Sequence, residues 1–209
     1  MLILIPCSGS KREGGVAKYD RSNCIVNDLS FEVGKKLMEL RKQVAMAFHE
    51  EPGLDLGFED VGPRIKYLEA YNRYSGNLYS RISESSWKML SKNPELNLII
   101  VSALYGLVNY NEPIRYYNIT MKNHIYPGRL LKTWWKNQNL SNILLDYVTK
   151  NKIEVVYDFL SDDYAQAVEH FPLSVKKIGV QYFSHTYSGL GSGSNYYRGE
   201  EVNKLIQRF

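Results

Sequence analysis

Cysteine and histidine are scarce in this sequence. Two cysteines, Cys7 and Cys24, and four histidines among 209 residues are too few for a disulfide framework, and no Cys or His spacing matches a zinc site. Long apolar runs are missing as well. Nothing approaches the roughly 20 residues that a membrane span needs, and Leu2 to Ile5 is far too short for the core of a signal peptide. These absences argue for a reduced, cytoplasmic setting with no metal, no cofactor and no membrane partner. The length suits one domain over residues 1–209, taken as a monomer.

What is present is unevenly placed. The net charge is only +4, yet residues 50–62 hold five acids and no Lys or Arg, whereas residues 115–136 hold five bases (Arg115, Lys122, Arg129, Lys132, Lys136) and no acid. The basic stretch is interleaved with Tyr116, Tyr117, Tyr126, Trp134 and Trp135. Cations that neutralise phosphates beside rings that stack on bases are what a nucleic-acid surface requires. A basic amphipathic helix would read similarly, and Trp134 and Trp135, being adjacent, cannot both face one way, so at least one belongs to the core. The chain also carries 17 tyrosines, each joining an apolar ring to a hydroxyl.

Apolar runs at Leu2 to Ile5, Asn97 to Ser102, Glu154 to Phe159 and Lys177 to Phe183 read as strands. Between them lie helical patterns. One starts near Asn27 or Asp28 and carries Val33, Leu37, Leu40, Val44 and Phe48 at spacings of three and four; others cover about 77–91, 129–149 and 162–170. Alternating strands and helices predict an α/β fold with a mostly parallel sheet flanked by helices. Two irregular stretches stand out: the acidic excursion at about 50–63, with three glycines and two prolines, and a Gly/Ser/Tyr-rich loop at about 184–199.

Ligands of open α/β sheets sit outside the carboxyl ends of the strands, so the residues after each strand carry the chemical interest. After the first strand, Cys7, Ser8, Gly9, Ser10 and Lys11 offer amides, hydroxyls and one ammonium, the donors an anion needs; the alternative is a plain strand exit with a solvated lysine. The glycine spacing is not that of a Walker loop. After the second comes Ser102-Ala-Leu-Tyr105-Gly106. After the third come Ser161, Asp162, Asp163 and Tyr164, where a carboxylate either caps a helix or points into the crevice as a base or charge stabiliser. Which of Asp158, Asp162 and Asp163 faces the crevice stays open. Ser188-Gly-Leu-Gly191 is similar to the phosphate-gripping turn of helix-hairpin-helix modules.

Taken in order, Tyr74-Ser-Gly-Asn-Leu-Tyr79, Ser102-Ala-Leu-Tyr-Gly-Leu107, Glu112-Pro-Ile-Arg-Tyr-Tyr117 with Met121, a tryptophan at 134 or 135, and Ser161-Asp-Asp-Tyr164 resemble the YaaA-like peroxide-stress family. The resemblance implies an α/β protein that binds DNA and protects or processes it. The expected activity is hydrolysis of the N-glycosidic bond of a damaged or modified base in DNA, including the large bases with which phages mask their genomes. Asp162, Ser102 and Tyr105 are the expected catalytic residues. Cys7, Ser8, Ser10, Lys11, Tyr79, Gly106, Arg115, Tyr117, Arg129, Lys132, Ser161 and Tyr164 are expected to hold substrate or DNA. Two other readings are a DNA-binding stress protein without catalysis and a transferase acting on nucleosides or nucleotides.

Overall fold

A computed structural model describes residues 1–187 and 193–209; the Ser188–Gly191 turn lies outside the described residues. At its centre is a five-stranded sheet. Strand β1 (Leu2–Pro6) is buried along its whole length, as a parallel strand covered on both faces must be. A separate short strand, β2, spans Tyr67–Glu69. Back in the main sheet, β3 (Asn97–Ser102) turns directly into β4 (Gly106–Asn109). Three two- or three-residue strands follow: β5 (Pro113–Arg115), β6 (His124–Ile125) and β7 (Arg129–Leu130). The main sheet is completed by β8 (Val155–Asp158) and β9 (Gln181–Ser184).

The strand order is β4-β3-β1-β8-β9. β1 pairs in parallel with β3 and with β8, β8 pairs in parallel with β9, and only β4 runs against its neighbour. The chain leaves β1 toward β3 on one side and later returns to β8 on the other. The gap between the carboxyl ends of β1 and β8 is therefore the topological switch point, where open α/β sheets leave a crevice.

Helices α1 (Phe31–Ala47), α2 (Ala70–Arg73), α3 (Glu84–Lys92), α4 (Leu131–Asn137), α5 (Leu140–Lys150), α6 (Asp162–Ala167), α7 (Phe171–Lys177) and α8 (Ser194–Ile206) flank the sheet. Their boundaries depart from the sequence periodicity where side chains are engaged elsewhere. The first long helix begins at Phe31 behind Ser30, because Asp28 accepts from Asn109 Nδ2 at 2.8 Å and residues 25–28 form their own tight turn. The single helix expected over 129–149 is two, broken where Asn139 adopts a left-handed φ of 60°. Ser83 caps α3 by accepting from Ser86 N at 3.2 Å, which ends the preceding turn. The pairs β2–β5 and β6–β7 are too short to show a period.

Trp135 is the core tryptophan of its pair: it is fully buried and donates to Ala103 O at 2.8 Å. Its ring also explains Gly106, which has φ +71° and where an added Cβ would stand 2.9 Å from the indole.

Two buried ion pairs tie the irregular segments to this frame. Arg41 of α1, with no exposed surface, meets Glu112 at 2.7 Å and donates to the carbonyls of Tyr105 (3.1 Å), Leu107 (2.7 Å) and Asp55 (3.2 Å). Burial opposes its charge, but the Glu112 carboxylate more than compensates and holds the guanidinium pKa above its usual value. Arg115 is bound to Asp55 through Nη2 (2.6 Å) and Nε (2.9 Å). The acidic excursion is thus pinned to the body by its own Asp55. Replacing Glu112 with Ala strands the Arg41 charge, and a loss of ~3–5 kcal/mol is expected in urea unfolding, read as a lower midpoint at unchanged slope.

Candidate functional site

The hydrogen-bond rail of β1 continues one residue past the strand, since Cys7 N donates to Val101 O at 2.9 Å. The chain then turns through Ser8, Gly9 and Ser10. A second loop, Ser75 to Leu78, arrives after α2 and lies against the first. Arg12 N donates to Arg73 O (2.8 Å) and Ser75 N to Ser10 O (3.1 Å). The loops touch so closely that a Cβ at Gly76 would fall 2.3 Å from Ser8 Oγ. Any side chain there would displace a hydroxyl that already accepts from Ser10 N at 3.2 Å.

Ser161 and Tyr164, at the start of α6, and Asn195, in the first turn of α8, supply the remaining walls of a cleft of about 460 Å³. No charged side chain is among the residues lining it. Its donors are hydroxyls, amides and backbone: among the described residues the N–H groups of Ser8, Gly9, Gly76 and Asn77 find no acceptor. Consecutive free amides are the raw material of an anion cradle.

Behind the cleft is a layer of tyrosines. Tyr164 Oη lies 3.1 Å from Cys7 Sγ, and Tyr79 Oη donates to Pro6 O at 3.0 Å. Deeper, Tyr74 and Tyr117 share a hydroxyl contact of 2.7 Å, and Ser102 Oγ joins them at 2.9 Å from Tyr117 and 3.4 Å from Tyr74. Burial pushes all four phenols well above their usual pKa, so they stay neutral donors and acceptors. Lys11 Nζ stands 4.0 Å over the Tyr117 ring, a cation–π distance.

Six of the residues expected from sequence line the cleft: Cys7, Ser8, Ser10, Tyr79, Ser161 and Tyr164. Ser102 and Tyr117 belong to the layer behind it, and Lys11, outside the lining, lies between the Tyr117 ring and Gly9 O. The others lie apart from the lining. Tyr105 is buried with its hydroxyl donating to Asp55 at 2.5 Å and accepting from Arg115 N at 3.0 Å. Gly106 makes the turn against Trp135. Arg115 is 3% exposed and committed to Asp55, Lys132 is paired with Asp163 at 2.6 Å, and Arg129 is exposed. Asp162 is an exposed carboxylate next to Ser161. Asp158 is buried, accepts from Leu160 N at 2.7 Å and from the Tyr182 hydroxyl, and is pushed up in pKa by that burial. The sequence does not mark the second loop as a wall, although its Ser75-Gly76 repeats the Ser8-Gly9 pair, and nothing in the pattern around Asn195 points to the cleft.

The sequence pattern of the family described as "Peroxide stress protein YaaA" matches residues 1–208. The chain belongs to the YaaA family. Similar proteins include a UPF0246 protein of Fusobacterium nucleatum, 27% identical over 152 residues, covering 69% of this chain and 57% of that protein. Another is a UPF0246 protein of Francisella tularensis subsp. mediasiatica, 23% identical over 111 residues, covering 52% of this chain and 43% of that protein. The matched part thus spans about half the length of these curated relatives. Among the described residues no helix is long and apolar enough to cross a membrane.

The tyrosine layer generates a prediction for this YaaA-family chain. Tyr117→Phe leaves the hydroxyls of Ser102 and Tyr74 short of a partner, and a loss of ~1–3 kcal/mol is expected from chemical unfolding; an unchanged midpoint would show that the layer is not coupled through Tyr117.

Proposed function

We propose that the cleft seats one nucleotide unit of DNA and that the protein hydrolyses the N-glycosidic bond of a damaged or modified base. One observation carries the reading: two Ser-Gly loops, from distant parts of the chain, converge at the switch point around a cleft of about 460 Å³ without a charged lining side chain. The free amides of those loops suit a phosphate, while the neutral hydroxyls and amides suit a sugar and a base edge. Extruding a base costs a few kcal/mol, least when the base is altered. A family described by peroxide stress fits an oxidised base as the altered one.

Hydrolysis of this bond passes through a cationic sugar that a carboxylate stabilises. The C1′–N bond breaks with its electron pair going to the base, water adds at C1′, and the water's proton passes to the carboxylate and from it, through solvent, to the departed base. Asp162 fits that role by its place in the chain next to the lining residue Ser161: it is exposed, and among the described residues it makes no ion pair.

A second reading takes a free nucleotide in the same cleft. What favours it is the fate of the basic stretch, since Arg115 is buried with Asp55, Lys132 is held by Asp163 and Lys136 by Glu169 at 2.6 Å. A duplex would then meet fewer free cations than the sequence offers.

The test is mass spectrometry of bases released from unmodified, oxidised and phage-type modified duplexes and from free deoxynucleotides. Release from an altered duplex, reduced ~10²–10⁴-fold in Asp162→Asn, is the expected result. Release from free nucleotides alone would transfer the activity to the second reading. Salt-dependent DNA binding without release from any substrate would leave a non-catalytic DNA-binding protein.

A further inference from the structure

We propose that Lys11 is a nucleophilic amine that forms an imine with the aldehyde of an abasic deoxyribose. The inference rests on the reading that the cleft takes a nucleotide unit of DNA, and it adds a second activity to that site.

Lys11 differs from the lysines of the basic stretch. Lys132 and Lys136 each meet a carboxylate at 2.6 Å, whereas among the described residues none lies within 4.0 Å of Lys11 Nζ. The side chain is half-buried, and its amine is held by two rings, 4.0 Å from the centre of Tyr117 and 5.8 Å from that of Tyr74, with Gly9 O at 3.5 Å. Gly9 and Ser10, the two residues before Lys11, both line the cleft, so the amine is in contact with its wall through Gly9 O. A lysine placed only to attract phosphate would keep its water and its counter-ions.

Burial lowers the pKa of this amine from the ordinary lysine value; Cys7 and Glu50 push it back up, and the nearby Arg73 lowers it further. A partly desolvated lysine with no carboxylate in contact is the environment in which amines become nucleophiles. The cation–π contacts hold the protonated form in place until a carbonyl carbon arrives.

The step balances without a further reactant. Once a base has left, the sugar ring opens to an aldehyde at C1′. The neutral amine attacks C1′, a C–N bond forms, and the carbonyl oxygen departs as water with the amine's two hydrogens. The imine then takes one proton from solvent. Loss of a C2′ proton to water moves the electron pair into the C2′–C3′ bond, and the 3′ phosphate leaves with the strand.

The decisive experiment uses a duplex carrying one preformed abasic site, so base release plays no part. Protein and duplex are mixed with sodium borohydride, which delivers hydride to the imine carbon and fixes the link as a stable amine. The expected result is a covalent adduct whose peptide mass maps to Lys11. Lys11→Arg keeps a cation over Tyr117 and cannot form an imine, so it should fold as the parent protein does, by circular dichroism, and yield no adduct. Trapping rate should rise with pH and level off below the ordinary lysine pKa, as the lowered value requires.

No adduct, an adduct on another lysine, or an adduct that persists in Lys11→Arg would overturn the inference. Trapping in a protein that releases no base would uphold it while removing the glycosidic reading. Base release without trapping would do the reverse.

Discussion

The arrangement of this chain depends on one buried cation. Arg41 of α1 sits against the β3–β4 turn, strand β4 and the 53–56 loop, and one backbone carbonyl from each points at it. Carbonyls turned inward need donors, and five N–H groups in a planar fork can serve several at once. A guanidinium without an anion could not remain there, so Glu112 is equally necessary. It also accepts from Ile25 N at 3.0 Å and Asn109 N at 3.3 Å. The pair therefore fixes where the chain before α1 enters, where β4 ends and where the acidic loop docks. Exchanging both partners for apolar groups would leave the carbonyls unserved, which is why this ion pair is not a replaceable ornament of the core.

Much of the frame was legible in the sequence because burial on both faces writes itself into composition. Leu2 to Ile5 and Asn97 to Ser102 could hardly be anything but interior strands. The stripe from Val33 to Val44 similarly announces a helix. What resisted reading was anything decided by a distant partner. Arg115 looks like a phosphate cation until Asp55 is seen against it, 60 residues away in sequence. Tyr105 looks like a catalytic hydroxyl until it is found buried between Asp55 and Arg115. Charge segregation along the chain, five acids in one stretch and five bases in another, partly reflects stretches that meet in space and cancel.

The cleft shows the same division. Its first wall was expected, because a loop after the first strand of an α/β sheet has few other places to go. Its second wall was not, although Ser75-Gly76 repeats the chemistry of Ser8-Gly9. Sequence offers no way to measure the separation of two loops. Here Gly76 is where that separation is decided, since nothing larger than hydrogen fits against Ser8 without displacing its hydroxyl.

Those two loops meet through main-chain contacts: Ser75 to Ser10, Arg12 to Arg73 and, further along, Val16 with Tyr67 in both directions. Arg73 reinforces the seam from beneath, donating to Gly14 O at 3.1 Å and Lys66 O at 2.9 Å as well as to Arg12 O. With Gly76 in place, a mouth framed by peptide groups keeps its width when the side chains at its rim change. Serine, asparagine and tyrosine at its rim can thus be exchanged during divergence, altering which guest is admitted while the doorway stays the same size.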